Sequence, residues 1–281
     1  MNPFLPALLT LVLPLAGPDL SDQFKDNRAA WEESLDKGQS AAVRKATETL
    51  LEQQGPTVNP SDYNAMHALV AVRNLAARAC VLDGAWEDAV AQLEKASQAA
   101  TDNLSTAEST FSRVVAEHQA KLKEWRDQTA QQEQQLQGLN ELPGLNQEQI
   151  KLKSQIQQFL DEHRRAIAQS EQSLQEIDGL LMLLKKEKEA YGTALDDWKG
   201  FLAKEQSDIA RLGGVGPYVA EKLVQVKADD ARPRTERLAY GRRLLHLDPG
   251  NPECRRFVAD LEGVPAPSPA PKAKPKRLPT S

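Results

Sequence analysis

Residues 152–212 constrain this chain more than any other stretch. Mostly apolar side chains recur there at steps of four and three: Leu152, Ile156, Leu160, His163, Ile167, Ser170, Leu174, Ile177, Leu181, Leu184, Lys188, Tyr191, Leu195, Trp198, Leu202, Glu205, Ile209 and Leu212. Apart from two successive steps of four at Leu152-Ile156-Leu160, the rhythm holds over about nine heptads, the periodicity of a helix that lays one stripe against another helix. No proline interrupts the run, and Gly179, Gly192 and Gly200 fall off the stripe. Each glycine weakens the helix by roughly 1 kcal/mol and leaves the contact face intact. Lys188 and Glu205, charged at stripe positions, are expected near its edge with their head groups in water.

The partner precedes it. Residues 104–139 carry the same spacing through Leu104, Glu108, Phe111, Val115, His118, Leu122, Trp125, Thr129, Gln132, Leu136 and Leu139. Leu142-Pro143-Gly144 then stops the helix, because proline lacks the N–H and clashes with the preceding turn. Two helices joined so briefly run antiparallel, which predicts a coiled-coil hairpin over 86–212 with its tip at 140–148. The two stripes set Leu136 against Leu152, Trp125 against His163, His118 against Ser170, Val115 against Leu174, Phe111 against Ile177 and Leu104 against Leu184. The second stripe is longer than the first. Carrying the first backwards gives Ser97, Leu93, Val90 and Trp86 opposite Tyr191, Leu195, Trp198 and Leu202. One continuous helix from about Trp86 to Leu139 follows, with Thr101-Asp102-Asn103 on its surface. His118 and His163 read as a polar layer that fixes register, with a proton-sensitive joint as the alternative.

Composition agrees with an all-α chain: Ala, Leu, Gln, Glu and Lys dominate and aromatics make up 5%. A net charge of −5 argues against a dedicated nucleic-acid binder. The two cysteines, Cys80 and Cys254, read as buried thiols on helix faces, with a disulfide as the alternative in an exported protein. Residues 4–16 are apolar and uncharged and end at Ala16-Gly17, which predicts a signal peptide over 1–20 and a secreted or periplasmic protein, against a cytoplasmic alternative. The run is too short to span a bilayer, and no transmembrane span is expected in the mature chain. Residues 263–281 alternate Pro with Ala, Ser and Lys and include Lys272, Lys274, Lys276 and Arg277. That composition predicts a disordered tail able to contact an anionic surface.

Residues 21–101 read as shorter helices. Trp31, Leu35, Val43, Ala46 and Leu50 form an apolar face with a turn at Gly38, and Gly55-Pro56 and Asn59-Pro60 punctuate the chain. Ser61-Asp62 caps the next helix and Asp83-Gly84 closes it. Ala76-Ala77, Gly84, Trp86, Ala89, Leu93 and Ala96 together resemble a tetratricopeptide repeat over about residues 64–99. The proline usual after the second helix of such a repeat is replaced by Thr101-Asp102-Asn103. Residues 236–252, with the C-terminal helix of Cys254, Phe257, Val258 and Leu261, resemble part of another repeat within 213–262. The resemblance implies a helical base that binds other proteins without catalysis. The expected architecture is thus a tetratricopeptide-like base, a long antiparallel coiled-coil hairpin and a Pro-rich tail.

Motifs for chemistry are not found. There is no His-Glu-x-x-His and no phosphate loop, and the four histidines do not cluster at ligand spacing, so no catalytic, cofactor or metal residue is nominated. The stretch 212–223, with Gly214-Val215-Gly216 before Tyr218, resembles a helix-hairpin-helix turn. In that family such a turn offers backbone N–H groups to a phosphate. The other reading is a helix stop at Gly213-Gly214 followed by Pro217 in the first turn of the next helix. The leading expectation is a non-enzymatic scaffold or adaptor for a protein partner, with self-association through the coiled coil as a further option. A nucleic-acid-binding module at 212–223 is the alternative.

Overall fold

The computed structural model describes residues 19–263; the apolar N-terminal run and the tail from residue 264 lie outside the described residues. Among the described residues every regular element is helical. The order is α1 (Leu20–Asp36), α2 (Ser40–Gln54), a short 3-10 turn (Gly55–Thr57), α3 (Tyr63–Leu82), α4 (Trp86–Asn140), α5 (Gln147–Arg211), α6 (Val215–Ala228), α7 (Arg234–Leu247) and α8 (Pro252–Glu262). Helix α4 is unbroken through Thr101-Asp102-Asn103. Helix α3 has the length and hydropathy of a membrane span, and most of its apolar window is buried in the protein.

Local chemistry accounts for the ends. The Asp19 side chain accepts from Asp22 N at 2.9 Å and starts α1. Gly38, at φ +76°, turns the chain into α2. Asn146 and Gln149 cap α5 reciprocally, each side chain accepting from the other's backbone N–H at 2.9 Å. Asn251 accepts from Glu253 N and Cys254 N, Pro252 opens α8, and Gly263 ends it in the left-handed conformation.

The chain forms two compact units. One holds the described residues through Thr57, Ala68–Ala96 and those from Ala194 onward; the other holds Val58–His67 and Ser97–Thr193. In the first, α1 packs on α2, α6 on α7 and α7 on α8. Its interior includes Leu35, Val43, Val70, Val72, Ala76, Ala79 and Leu93, with a further cluster of Tyr218, Val219, Leu223, Leu244, Cys254 and Phe257. Gly241 lets α7 approach α8, since a Cβ there would sit 3.0 Å from the Phe257 ring. Cys80 and Cys254 are both buried free thiols, not a disulfide.

The second unit pairs the body of α4 with that of α5. His118 Nδ1 lies 2.7 Å from Ser170 Oγ, and Leu104 and Leu184 share one buried cluster with Ala107. Arg126–Glu171 at 2.6 Å and Glu133–Arg164 at 2.7 Å bridge the two helices. Rising numbers on α4 meet falling numbers on α5, so the pair is antiparallel. The N-terminal turn of α3, capped by Asp62, stacks Tyr63 on Phe111 at 5.4 Å. His163 stacks on Phe159 at 3.7 Å and contacts Gln128 at 3.2 Å. Two expectations need correcting. Asn103 is fully buried, not on the surface. Leu152 is 45% exposed, because the opposing chain is already in its connecting turn at this end of the pair.

Candidate functional site

The first unit gathers its aromatic and charged side chains at one place, and the turn between α3 and α4 sets it. Gly84 adopts φ +77° there, and its N–H donates to Val81 O at 3.1 Å while Ala85 N–H donates to Cys80 O at 2.9 Å. A Cβ on Gly84 would lie 2.7 Å from the Arg242 carbonyl oxygen and closer still to Arg243 N. The glycine therefore serves two ends: it takes a backbone conformation that side chains resist, and it lets the α7 backbone lie against the turn. Trp86 follows at the start of α4, and its indole N–H donates to Val81 O at 3.1 Å.

Around Trp86 three aromatic rings meet. Its ring lies 5.8 Å from Trp198 and 5.1 Å from Phe201, both on α5, and 5.4 Å from Tyr240 on α7, all edge to face. Phe201 remains 36% exposed although it is a large apolar side chain. With Val81, Leu82, Thr235, Glu236, Ala239 and Asp197 these rings line a groove of about 430 Å³. A recess of about 390 Å³ shares Val81, Leu82, Trp198 and Thr235 with it and adds Leu35, Asp36, Ala77, Leu93 and Ala194.

Behind Trp86 lies an ion network. Arg243 is 2% exposed and reaches three acceptors: Glu205 on α5, Glu87 on α4 at 2.6 Å, and the Gly84 carbonyl at 3.3 Å. Its Nε–H donates to both Glu205 oxygens, at 3.2 and 3.1 Å, and its guanidinium carbon sits 4.9 Å from the Trp86 ring centre. Tyr218 O–H donates to Glu205 Oε1 at 3.3 Å. Burial opposes the Arg243 charge, and the hydrogen bonds and charges of Glu87 and Glu205 more than offset it, raising its pKa further. The hydrogen bond from Arg243 holds the Glu87 carboxyl below its ordinary range. Burial, then the Glu205 charge, raises the Tyr218 phenol. A cleft of about 230 Å³ opens above these groups, lined also by Lys204, Asp208, Lys222, Asp229 and Arg232. Arg232 is already engaged, by Asp229 at 3.1 Å and by the Tyr240 ring at 4.9 Å.

Of the residues nominated from sequence, Trp86 and Trp198 line this groove and Leu93 the recess beside it; Leu202 is half-buried on α5. Phe111, His118, Trp125, His163 and Leu174 belong to the α4–α5 pair of the second unit and are half-buried there. Gly214-Val215-Gly216 begins α6, with Gly214 as the cap at φ +127°. The nearby cations have partners: Arg211 pairs with Asp208 at 3.3 Å, and Lys222 contacts Gln225 and lies 5.7 Å from the Tyr218 ring centre. Glu205, expected to reach solvent, is 4% exposed because α6 and α7 cover it with Tyr218 and Arg243. Arg243, Tyr240 and Tyr218 were not nominated. Arg243 carries a readable signal: it lies four residues after Ala239 and five after Leu238, on the buried face of α7.

Among the described residues no group of three or more His, Cys, Asp or Glu could hold a metal ion. Comparison with family models, curated proteins and solved structures gives no significant match.

Proposed function

We propose that the protein is a non-enzymatic protein–protein interaction scaffold, acting outside the cytoplasm. Its first unit is built from tetratricopeptide-like helix pairs, and residues 97–193 form an antiparallel coiled-coil hairpin. The observation that carries the reading is the aromatic groove. Trp198, Phe201 and Tyr240 stay partly open beside Val81, Leu82 and Ala239, a concave apolar surface with few polar points, which suits an anchor residue of a partner. The buried charges beside it support an architectural role, since Arg243 is neutralised by two carboxylates that also fix its orientation. For the hairpin, support comes from the His118–Ser170 contact and the bridging pairs on either side. The apolar run 4–16 motivates the compartment.

The test is site-specific photo-crosslinking in the producing cell, with the probe at Phe201 and, as a control, at exposed Lys186. A discrete adduct with another protein from Phe201 alone is expected. Its absence, with the protein folded and abundant, refutes the partner reading. Fractionation with N-terminal sequencing tests the compartment: an intact Met1 on cytoplasmic protein refutes export.

A further inference from the structure

In the second unit one face of α5 is left uncovered among the described residues. We propose that this face, centred on Gly179 and Leu183, is the contact between two copies of the chain, which meet with their α5 helices antiparallel about a twofold axis.

Residues 180–184 read Leu-Leu-Met-Leu-Leu, so apolar side chains point to every side of the helix there. Two sides are used within the chain. Leu184 is buried with Leu104 and Ala107, and Leu180 and Leu181 pack against that cluster beside Tyr63. Glu187, two turns after Leu180 on the same side, contacts His67 at 2.9 Å. Leu183, by contrast, is 65% exposed, and Met182 is half exposed. A lone exposed leucine is ordinary on a protein surface. Leu183 instead stands in a row. At steps of four and three the outer face reads Gln172, Glu176, Gly179, Leu183, Lys186 and Ala190, all exposed except the half-buried glycine.

Glycine inside a helix costs about 0.5–1 kcal/mol relative to alanine, and nothing in its own chain requires one at Gly179: a Cβ there would meet nothing within 4 Å. Gly192 and Gly200 are as open, so openness alone decides nothing. What singles out Gly179 is the large apolar side chain one turn away. With the axis level with Leu181, an antiparallel contact sets Leu183 of each copy against Gly179 of the other, a knob into the hole that a missing side chain leaves. The same register sets Glu176 of each copy against Lys186 of the other, about 7.5 Å from the axis at about 1.5 Å per residue. Neither forms an ion pair among the described residues; Glu176 accepts from Gln172 Nε2 on its own helix at 2.9 Å. A parallel contact would bring Glu176 to Glu176 and Lys186 to Lys186, so the charges select the antiparallel one. The contact is one helix face wide, below the size of a standard interface, and association is therefore expected to be weak and concentration-dependent.

The test is sedimentation equilibrium of the full chain from about 1 to about 300 µM, where a monomer–dimer equilibrium is expected. Glu176→Lys and Lys186→Glu each set like charges together at both symmetric pairs, and each should weaken the dimer about tenfold. The double variant exchanges the two sides of each pair and should restore it. Gly179→Leu should abolish the dimer without lowering the melting temperature, since leucine is the better helix former and meets nothing in its own chain. A chain that stays monomeric across the range overturns the proposal. So does a dimer indifferent to the single reversals or to Gly179→Leu, and so does one that the double variant fails to recover. With a photo-probe at Lys186 the adduct expected is between two identical chains, whatever the probe at Phe201 captures, so this reading and the groove fail separately.

Discussion

Gly84→Ala is the most informative single change, because the structure separates its two costs. The first is conformational: at φ +77° an alanine sits in the left-handed region, at about 1–2 kcal/mol. The second is steric: the new Cβ would lie within 2.7 Å of the Arg242 carbonyl, in contact with backbone that has no rotamer to escape into. Helix α7 would have to withdraw, loosening the Arg243 bonds to Gly84 O and Glu87, and overpacking of this kind costs about 1–3 kcal/mol. Gly213 provides the control. Its φ is +84°, and a Cβ there meets nothing within 4 Å, so Gly213→Ala carries the conformational cost alone. Urea unfolding of both full-length variants, followed by tryptophan fluorescence and far-UV circular dichroism, should place Gly84→Ala about 1–3 kcal/mol below Gly213→Ala. Equal losses would refute the close approach of α7 to the α3–α4 turn.

Other outcomes follow from the same geometry. Glu205→Ala, which strips one carboxylate from a buried arginine, should cost about 3 kcal/mol in urea unfolding, and Glu205→Leu with Arg243→Met should recover most of that loss. The Glu87 carboxyl is held low by Arg243, so its contribution is present above the ordinary carboxylate pKa of 4.5 and is lost as pH falls through the depressed value. Melting temperature should therefore drop more steeply on acidification in the wild type than in Glu87→Gln. Burial pushes the Cys80 and Cys254 thiols up to about 11, so both should react slowly with a thiol reagent at pH 8 and at once in denaturant; fast labelling of the native chain would contradict their burial. Cysteines at Val115 and Leu174, in a background lacking Cys80 and Cys254, should crosslink under mild oxidation if the hairpin register set by His118 and Ser170 is right.

What could be read in advance was set by near neighbours in sequence. The four-three spacing is a property of one helix, so α4 and α5 are visible as stripes, and Leu142-Pro143-Gly144 and Asp83-Gly84 are visible as ends. The site depends on residues brought together from α4, α5, α6 and α7, and no local pattern links Glu87, Glu205, Tyr218 and Arg243. A stripe implies one facing helix; it carries no information about a third layer, and that is why Glu205 reads as solvated when Tyr218 and Arg243 in fact enclose it. Asn103 fails for a related reason. In Thr101-Asp102-Asn103 its polarity suggests surface, yet it continues a row of small buried residues, Ala99, Ala100 and Ala107, at steps of three and four. Both of its side-chain polar atoms are buried without a hydrogen-bond partner within the described protein. Its place in that row, one helical turn from each of these alanines, puts it on the buried face whatever its polarity. Helical spacing was therefore the readable signal at Asn103, and polarity was the misleading one.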